Sequence, residues 1–335
     1  MKKQFVIIGV VALLVCVNLS GCSDNNQHST GPFYVGHGSD ADYHTVQEAI
    51  DAAENGATII MQKGSYNELI NMSKTITLIG EDKNTTIIDF NPNYEIRSSV
   101  SIININANNC VIENLRITLN NNSLLAQANS LLTQGISIHS QYNTIQNTSI
   151  INFANGIVLA AHSEYNTITD NEIKNNQIGI DATTSTSNNI SHNTLLNNTQ
   201  YNIYLKTESD YNRVSFNTMK NSFYGIRIKG SQENNVYKNC IQNNDVGIYC
   251  CCGAKSNYFY NNTLVNNFQG NAEEDKGLYN VWYDYPTGPG NYWDNYTGSD
   301  GNHDGIGDTP YVIPRTGNQD SYPLMTPPVD TPCNQ

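Results

Sequence analysis

The chain has 335 residues, only 14% of them charged, with 30 Asp and Glu against 17 Lys and Arg for a formal net charge of −13. Removing Lys2 and Lys3 with an expected leader makes the balance −15 (−13 less two positive charges), which argues against nucleic acid as a partner. Asn, Ser, Thr and Tyr carry the polar surface instead, and a repeat that grows in one dimension can hold this length as one unit.

In chain order, Lys2-Lys3 followed by the apolar run Phe5–Val17 reads as a signal peptide over 1–21, too short and too early for an ordinary spanning helix. It ends in Leu19-Ser20-Gly21-Cys22, which resembles the lipobox of exported lipoproteins; the resemblance implies lipidation at Cys22 and attachment to a membrane from outside the cytoplasm, an uncleaved anchor being the alternative. Residues 22–42 are polar and glycine-containing and read as a flexible tether. Tyr43–Gly56 is the one clear helix: Thr45 and Glu48 form a capping box, Val46, Ala49, Ile50 and Ala53 line one face, and Asn55-Gly56 stop it. Strands follow near Thr58–Gln62, Thr75–Ile79 and Thr85–Phe90, then Ile112–Ile117, with an insertion at Asn120–Leu132 before Gly135-Ile136.

From Tyr142 to Gly270 one pattern returns. The apolar residues Ile145, Ile168, Ile190, Val214, Val236 and Phe259 open the copies at steps of 23, 22, 24, 22 and 23. A second marker, Gly156-Ile157, Gly179-Ile180, Asn202-Ile203, Gly225-Ile226, Gly247-Ile248 and finally Gly270, keeps the same period. Short alternating apolar pairs and the lack of any long helical stripe make each copy a set of short strands. About 23 residues per turn and β-branched inward positions predict an all-β fold, a right-handed parallel β-helix over 43–276 of about ten coils. Coils ~4.8 Å apart would set Asn171, Asn193, Asn217, Asn239 and Asn262 over one another as an internal amide ladder.

After 277 Pro, Gly and Tyr take over, so 277–335 is expected to be an irregular C-terminal cap. Within it Asp300, Asn302, Asp304, the Ile306 carbonyl and Asp308, with Gly305 at the turn, stand at the spacing of a Ca²⁺ loop. Tyr311 replaces the twelfth-position glutamate, so Asp294 or Asp320 would have to complete a structural calcium site, and a metal-free polar turn is the alternative. The cysteines Cys110, Cys240, Cys250, Cys251, Cys252 and Cys333 show no spaced disulfide framework. Strand parity turns Cys250 inward and Cys251 outward and puts Cys240 on an outward position between Thr218 and Thr263, leaving buried thiols, a local disulfide or a soft-metal site open at Cys250–Cys252.

The opening coils ATIIMQKGSYNELINMSKTITLIGEDKNTTIIDF, the repeated N-x-I and G-I coils and the C-terminal text GNYWDNYTGSDGNHDGIGDTPYVIPRTGNQDSYPL together resemble the NosD-like family of exported β-helix proteins, over about 43–325. The resemblance implies fold and extracytoplasmic location more than activity, because coils of this carbohydrate-binding and sugar-hydrolysis type serve lyases, epimerases, hydrolases and binding proteins. It also raises copper, but the histidines are scattered.

Reading outward positions of the G-I-x-L strand gathers His139, Asp181, Tyr204, Lys206, Arg227, Lys229 and Tyr249 on one face. Tyrosine rings stack on sugars and cations pair with uronate carboxylates, so the expected partner is a polysaccharide or surface glycan, bound by a monomer. The enzyme alternative is a lyase or uronate epimerase at the same face, and the structural alternative an inert envelope component. No paired inward carboxylates support a glycosidase.

Overall fold

A computed structural model describes residues 31–91, 96–119, 132–276 and 279–334. The leader, Cys22, the start of the tether and residues 120–131 of the expected insertion lie outside the described residues. Three parallel sheets run the length of the molecule. The first has ten strands from Phe33–Val35 to Tyr258–Tyr260, the second ten from Gly64–Tyr66 to Tyr292–Trp293, and the third nine from Ile70–Met72 to Gly270–Asp275. The chain visits them in turn, which makes a parallel β-helix of about ten turns.

Register follows the period. Ile145, Ile168, Ile190, Val214, Val236 and Phe259 pair directly in the first sheet. Ile157, Ile180, Ile203, Ile226 and Ile248 do so in the third. All are fully buried, so the core is a column of β-branched and aromatic side chains down the axis. Burying one such side chain contributes roughly 1.5–3 kcal/mol, and every coil adds several.

The corners explain the asparagines. In the coil 165–187 the residues Tyr165, Asp170 and Asn175 take positive φ of 58°, 57° and 57°, and each is followed by a buried asparagine. That asparagine receives the corner N–H of the coil before it, a donor that would otherwise be buried without a partner. The expected ladder is present: Asn171, Asn193, Asn217 and Asn239 each donate Nδ2 to Oδ1 of the next member at 3.0 Å, ending with Asn262 to Asn291 at 2.9 Å. A second ladder, not anticipated, runs Asn143, Asn166, Asn188, Asn212, Asn234, Asn257, Asn280 at 2.9–3.1 Å. A third joins Asn176 to Asn198 and Asn244 to Asn267, with Asn202 bridging the two parts by accepting from Asn198 at 2.9 Å and donating to Asn244 at 3.2 Å.

Each ladder points its amide donors toward the C-terminus and ends on a carboxylate. Asn280 donates to Glu274, Asn271, which receives the third ladder from Asn267, to Asp294 at 2.7 Å, and Asn291 through its backbone N–H to Asp320 at 2.7 Å. A terminal anion is the strongest acceptor available for a polarised chain of amides.

The ends differ from expectation in detail. The helix is Val46–Ala52, with Thr45 Oγ1 accepting the Glu48 N–H at 3.2 Å. Glu68, not anticipated, accepts the Val46 and Gln47 N–H groups at 3.0 and 3.1 Å, and Lys74 donates to the carbonyls of Ile50, Asp51 and Ala53 at the other end. Phe33–Val35, inside the segment read as a tether, pairs with Ile59–Met61 as the first strand of the first sheet. The coil pattern also continues past 277: Val281 bridges Tyr258, and Tyr292–Trp293 pairs with Thr263–Leu264. Aromatic packing then closes the core, Phe259 against Trp282 and Trp293 against Tyr311, each with centroids 4.2 Å apart.

One cysteine pair corrects the sequence reading: Cys240 and Cys333 form a disulfide across 93 residues. Cys240 does sit on the outward row between Thr218 and Thr263, but the C-terminal tail crosses that row and buries it.

Candidate functional site

The outer face of the third sheet carries three rows. Register aligns Ser137, Val158, Asp181, Tyr204, Arg227, Tyr249 and Glu273 in one, and Thr183, Lys206, Lys229, Cys251 and Asp275 in another. A third, missed in the sequence, aligns Ile178, Tyr201, Tyr224 and Val246. Simple alternation skips it because the Gly-Ile pair puts two consecutive residues inside. The strand bends there, and glycine eases the bend in most coils: a Cβ at Gly225 would come within 2.6 Å of the Gly247 carbonyl oxygen, while Asn202 and Asn271 take the same place in two coils.

Arg227 is the hub. Its guanidinium lies 5.4–5.6 Å from the ring centroids of Tyr201, Tyr204, Tyr224 and Tyr249, donates from Nη1 to the Tyr201 hydroxyl at 2.9 Å, and places Nη2 3.7 Å from Cys251 Sγ. Its Nε is buried with no hydrogen-bond partner. The rings are engaged with each other: Tyr201 stacks on Tyr224 at 5.5 Å, Tyr224 on Tyr249 at 5.3 Å, and Tyr204 on Tyr201 at 4.6 Å. They therefore offer a ligand hydroxyls and edges rather than open faces. Burial pushes the Tyr204 phenol above its ordinary value, with Arg227 opposing, which makes it a poor base.

Lys206 is committed as well. Its ammonium is 2.9 Å from the Asp181 carboxylate and 4.9 Å from the Tyr204 centroid. Burial raises the Asp181 carboxyl above the usual range and Lys206 pulls it back. Arg315 reaches over from the cap to Glu273 at 2.9 Å and to the Tyr249 ring at 5.9 Å. Lys229 is exposed beside this cluster. His139 is not part of it: Val158 and Ala160 occupy the intervening coil, and its Nε2 lies 2.8 Å from Ser137 Oγ.

Beside the tyrosines opens a recess of about 330 Å³ lined by Thr199, Gln200, Tyr201, Phe223, Tyr224 and Arg227. Phe223 is 41% exposed and set edge-on to Tyr224, so it is the ring with a face to spare. A larger hollow of about 670 Å³ lies elsewhere, between the outer face of the second sheet and the tail, with the stacked His192 and Phe216 on one side and Asp330 on the other.

The family described as periplasmic copper-binding protein (NosD) matches residues 25–208 and 83–298, more than half of the chain. The chain belongs to the NosD family. Its periplasmic description puts the NosD chain outside the cytoplasm. Among solved structures, a pectin methylesterase from carrot shares 14% identity over 79% of this chain and 87% of that one at a TM-score of 0.50. XylC, solved with xylose, shares 11% over 78% and 74% at 0.50. The Dettilon tailspike protein shares 12% over 72% of this chain at 0.50, and the chain spans 60% of the tailspike. These likenesses are ones of fold. A comparison with curated proteins found no match.

The donor set of this NosD chain among the described residues does not fit a resident copper ion. Among the described residues no three His, Cys, Asp or Glu side chains converge at metal-ligating distance. His37 is stacked on Tyr66, and His162, His192 and His303 stand on separate left-handed turns. Cys251, the sulfur nearest the tyrosine face, has a guanidinium against it. In the acidic loop, Asp300 accepts the Asp304 and Gly305 N–H groups, Asp304 that of Ile306, and Asp308 that of Gly301, at 2.8–3.1 Å. Asn302 donates to Asp304 at 2.9 Å, so the five expected positions form one compact turn.

Proposed function

We propose that the chain is an extracytoplasmic polysaccharide-binding protein, lipid-anchored through Cys22, that holds acidic glycan at the third-sheet face around Arg227. The observation that supports it is the cluster of Arg227 with four tyrosines beside the Phe223 recess: a row of phenol hydroxyls, one guanidinium with an unpartnered Nε, and one open aromatic face. Hydroxyls and a guanidinium recognise sugar hydroxyls and a uronate carboxylate, and a free ring face packs on the pyranose. A lyase or epimerase at this face needs a base of suitable affinity for protons. Tyr204 is held protonated and Lys206 is tied to Asp181.

The test is calorimetric titration of the exported chain with uronate and neutral oligosaccharides, with ultraviolet absorbance followed for new unsaturated ends. Phe223→Ala and Arg227→Ala should each weaken uronate binding about tenfold or more, the range of one well-placed contact. Growth of absorbance during incubation would replace the binding reading with the lyase one, and silence toward every glycan would leave an envelope component without a ligand.

A further inference from the structure

Cys250 and Cys251 end the third-sheet strand Val246–Cys251 and Cys252 follows on the turn, and the function above does not use them. Cys250 points into the core, fully buried, with Ile228 beside it in register. Cys251 is on the outer row next to Lys229, buried under Arg227, and Cys252 is exposed on a left-handed turn with φ 60°. The sulfurs of Cys251 and Cys252 lie 2.9 Å apart, roughly 0.9 Å beyond a formed bond of ~2.03 Å. Among the described free cysteines the remaining one, Cys110, is in a distant coil, its Sγ near the carbonyls of Lys74 and Ala107. Independently, the Cys240–Cys333 bond shows that this chain carries an oxidised pair, as extracytoplasmic proteins do.

We propose that Cys251 and Cys252 form a reversible disulfide between adjacent residues, and that this bond controls how freely Arg227 meets a ligand. Neighbouring Cα atoms are ~3.8 Å apart, shorter than the ~4.4–6.8 Å usual for disulfides, and such strain makes a bond easily reduced, a switch rather than a staple. Burial holds the Cys251 thiol above its ordinary value, Cys252 adding to this and Arg227 opposing it. Exposed Cys252 therefore reacts first. As thiolate it attacks one sulfur of an external disulfide, of a protein or a small thiol, and expels one thiolate. Cys251 then gives its proton to water, attacks Cys252 Sγ, closes the Cys251–Cys252 bond and expels the second thiolate. The pair loses two electrons and two protons, and the external disulfide becomes two thiols.

The second half rests on the binding reading. Nη2 of Arg227 faces the Cys251 sulfur, and a disulfide sulfur is a weaker partner than a thiol able to become a thiolate. Oxidation thus frees one edge of the guanidinium for a carboxylate.

The test uses the full chain, equilibrated with oxidised glutathione or with a phosphine reductant. It is then unfolded, blocked with N-ethylmaleimide, reduced, labelled with iodoacetamide and digested with trypsin. Cleavage after Lys238 and Lys255 puts Cys240, Cys250, Cys251 and Cys252 on one peptide. After oxidation, Cys240, Cys251 and Cys252 should carry the reduction-dependent label and Cys250 the first block. Label on Cys240 alone would overturn the proposal, as would pairing of Cys252 with Cys250, which Cys250→Ser abolishes and a Cys251–Cys252 bond survives. A uronate oligosaccharide should bind the oxidised form about fivefold or more tightly, and Cys252→Ser should bind equally in both conditions. Equal affinity of both wild-type states would refute the control of Arg227, whereas no binding in either state would remove the glycan reading and leave the thiol map standing.

Discussion

Replacing Asp320 by alanine should unfasten the C-terminal end of the solenoid. Asp320 is fully buried; its Oδ2 accepts the Asn291 N–H at 2.7 Å and Trp293 Nε1–H at 2.9 Å, and its Oδ1 the Tyr322 N–H at 3.0 Å. The substitution strands these donors, each worth about 1–3 kcal/mol when left unsatisfied in a buried site. Water entering the hollow relieves part of this, so the expected loss is about 3–5 kcal/mol. Both tryptophans of the chain, Trp282 and Trp293, lie at this end, so tryptophan fluorescence during denaturant unfolding reads the cap directly. The same residue sets a pH dependence. Burial pushes its carboxyl up to about 6 against the pull of its donors. A group whose folded pKa exceeds its unfolded value binds the proton more tightly when folded. Its contribution is therefore full below pH ~4 and is lost as pH rises through ~6. The cap should weaken over that window by roughly 3 kcal/mol, two pH units at 1.36 kcal/mol each, and Asp320→Asn should flatten that part of the profile. Parallel pH profiles for wild type and Asp320→Asn, or an unfolding midpoint unmoved in Asp320→Ala, would refute the reasoning.

Asn217→Ala removes donors to Ile190 O, Ser215 O and Asn239 Oδ1 and the acceptor of the Asn193 N–H, so it should destabilise by about 3–5 kcal/mol; a thermal midpoint within a degree of wild type would show the ladder to be ornamental. The turn Asp300–Asp308 is proposed to clamp the cap around a calcium ion. Millimolar Ca²⁺ should then raise the unfolding midpoint of the wild type and not of Asp304→Ala, and no shift up to 10 mM would make it a metal-free turn. Cys22→Ala should move the exported chain from the membrane to the soluble fraction in a cell fractionation, and retention there would point to an uncleaved leader.

The period was legible because two markers repeat independently, Ile145 onward and Gly156 onward, and inward positions admit few residue types. One asparagine ladder was visible for the same reason. The other, from Asn143 to Asn280, is as regular, but it stands at the end of the variable loop just ahead of each opening strand, where an asparagine reads as loop punctuation. The candidate face was half legible. Arg227, Tyr204, Tyr249, Lys206 and Asp181 do meet, whereas Tyr201 and Tyr224 escaped because alternation fails across the Gly-Ile bend. The Cys240–Cys333 bond was not legible at all, since it depends on where an aperiodic tail crosses a periodic wall.

Because neighbouring coils meet through the same pairs each time, the body of this protein has no preferred length. Cutting out Asn188–Tyr211 would bring Asn212 under Asn166 and Asn217 under Asn171, with isoleucine and valine still seated below. Such a shortened molecule keeps its lid and its plug, and gives up reach together with Tyr201, Tyr204 and Lys206 of the candidate face. Whatever span this surface must measure, evolution can change it by splicing in or deleting one rung, with nothing else redesigned.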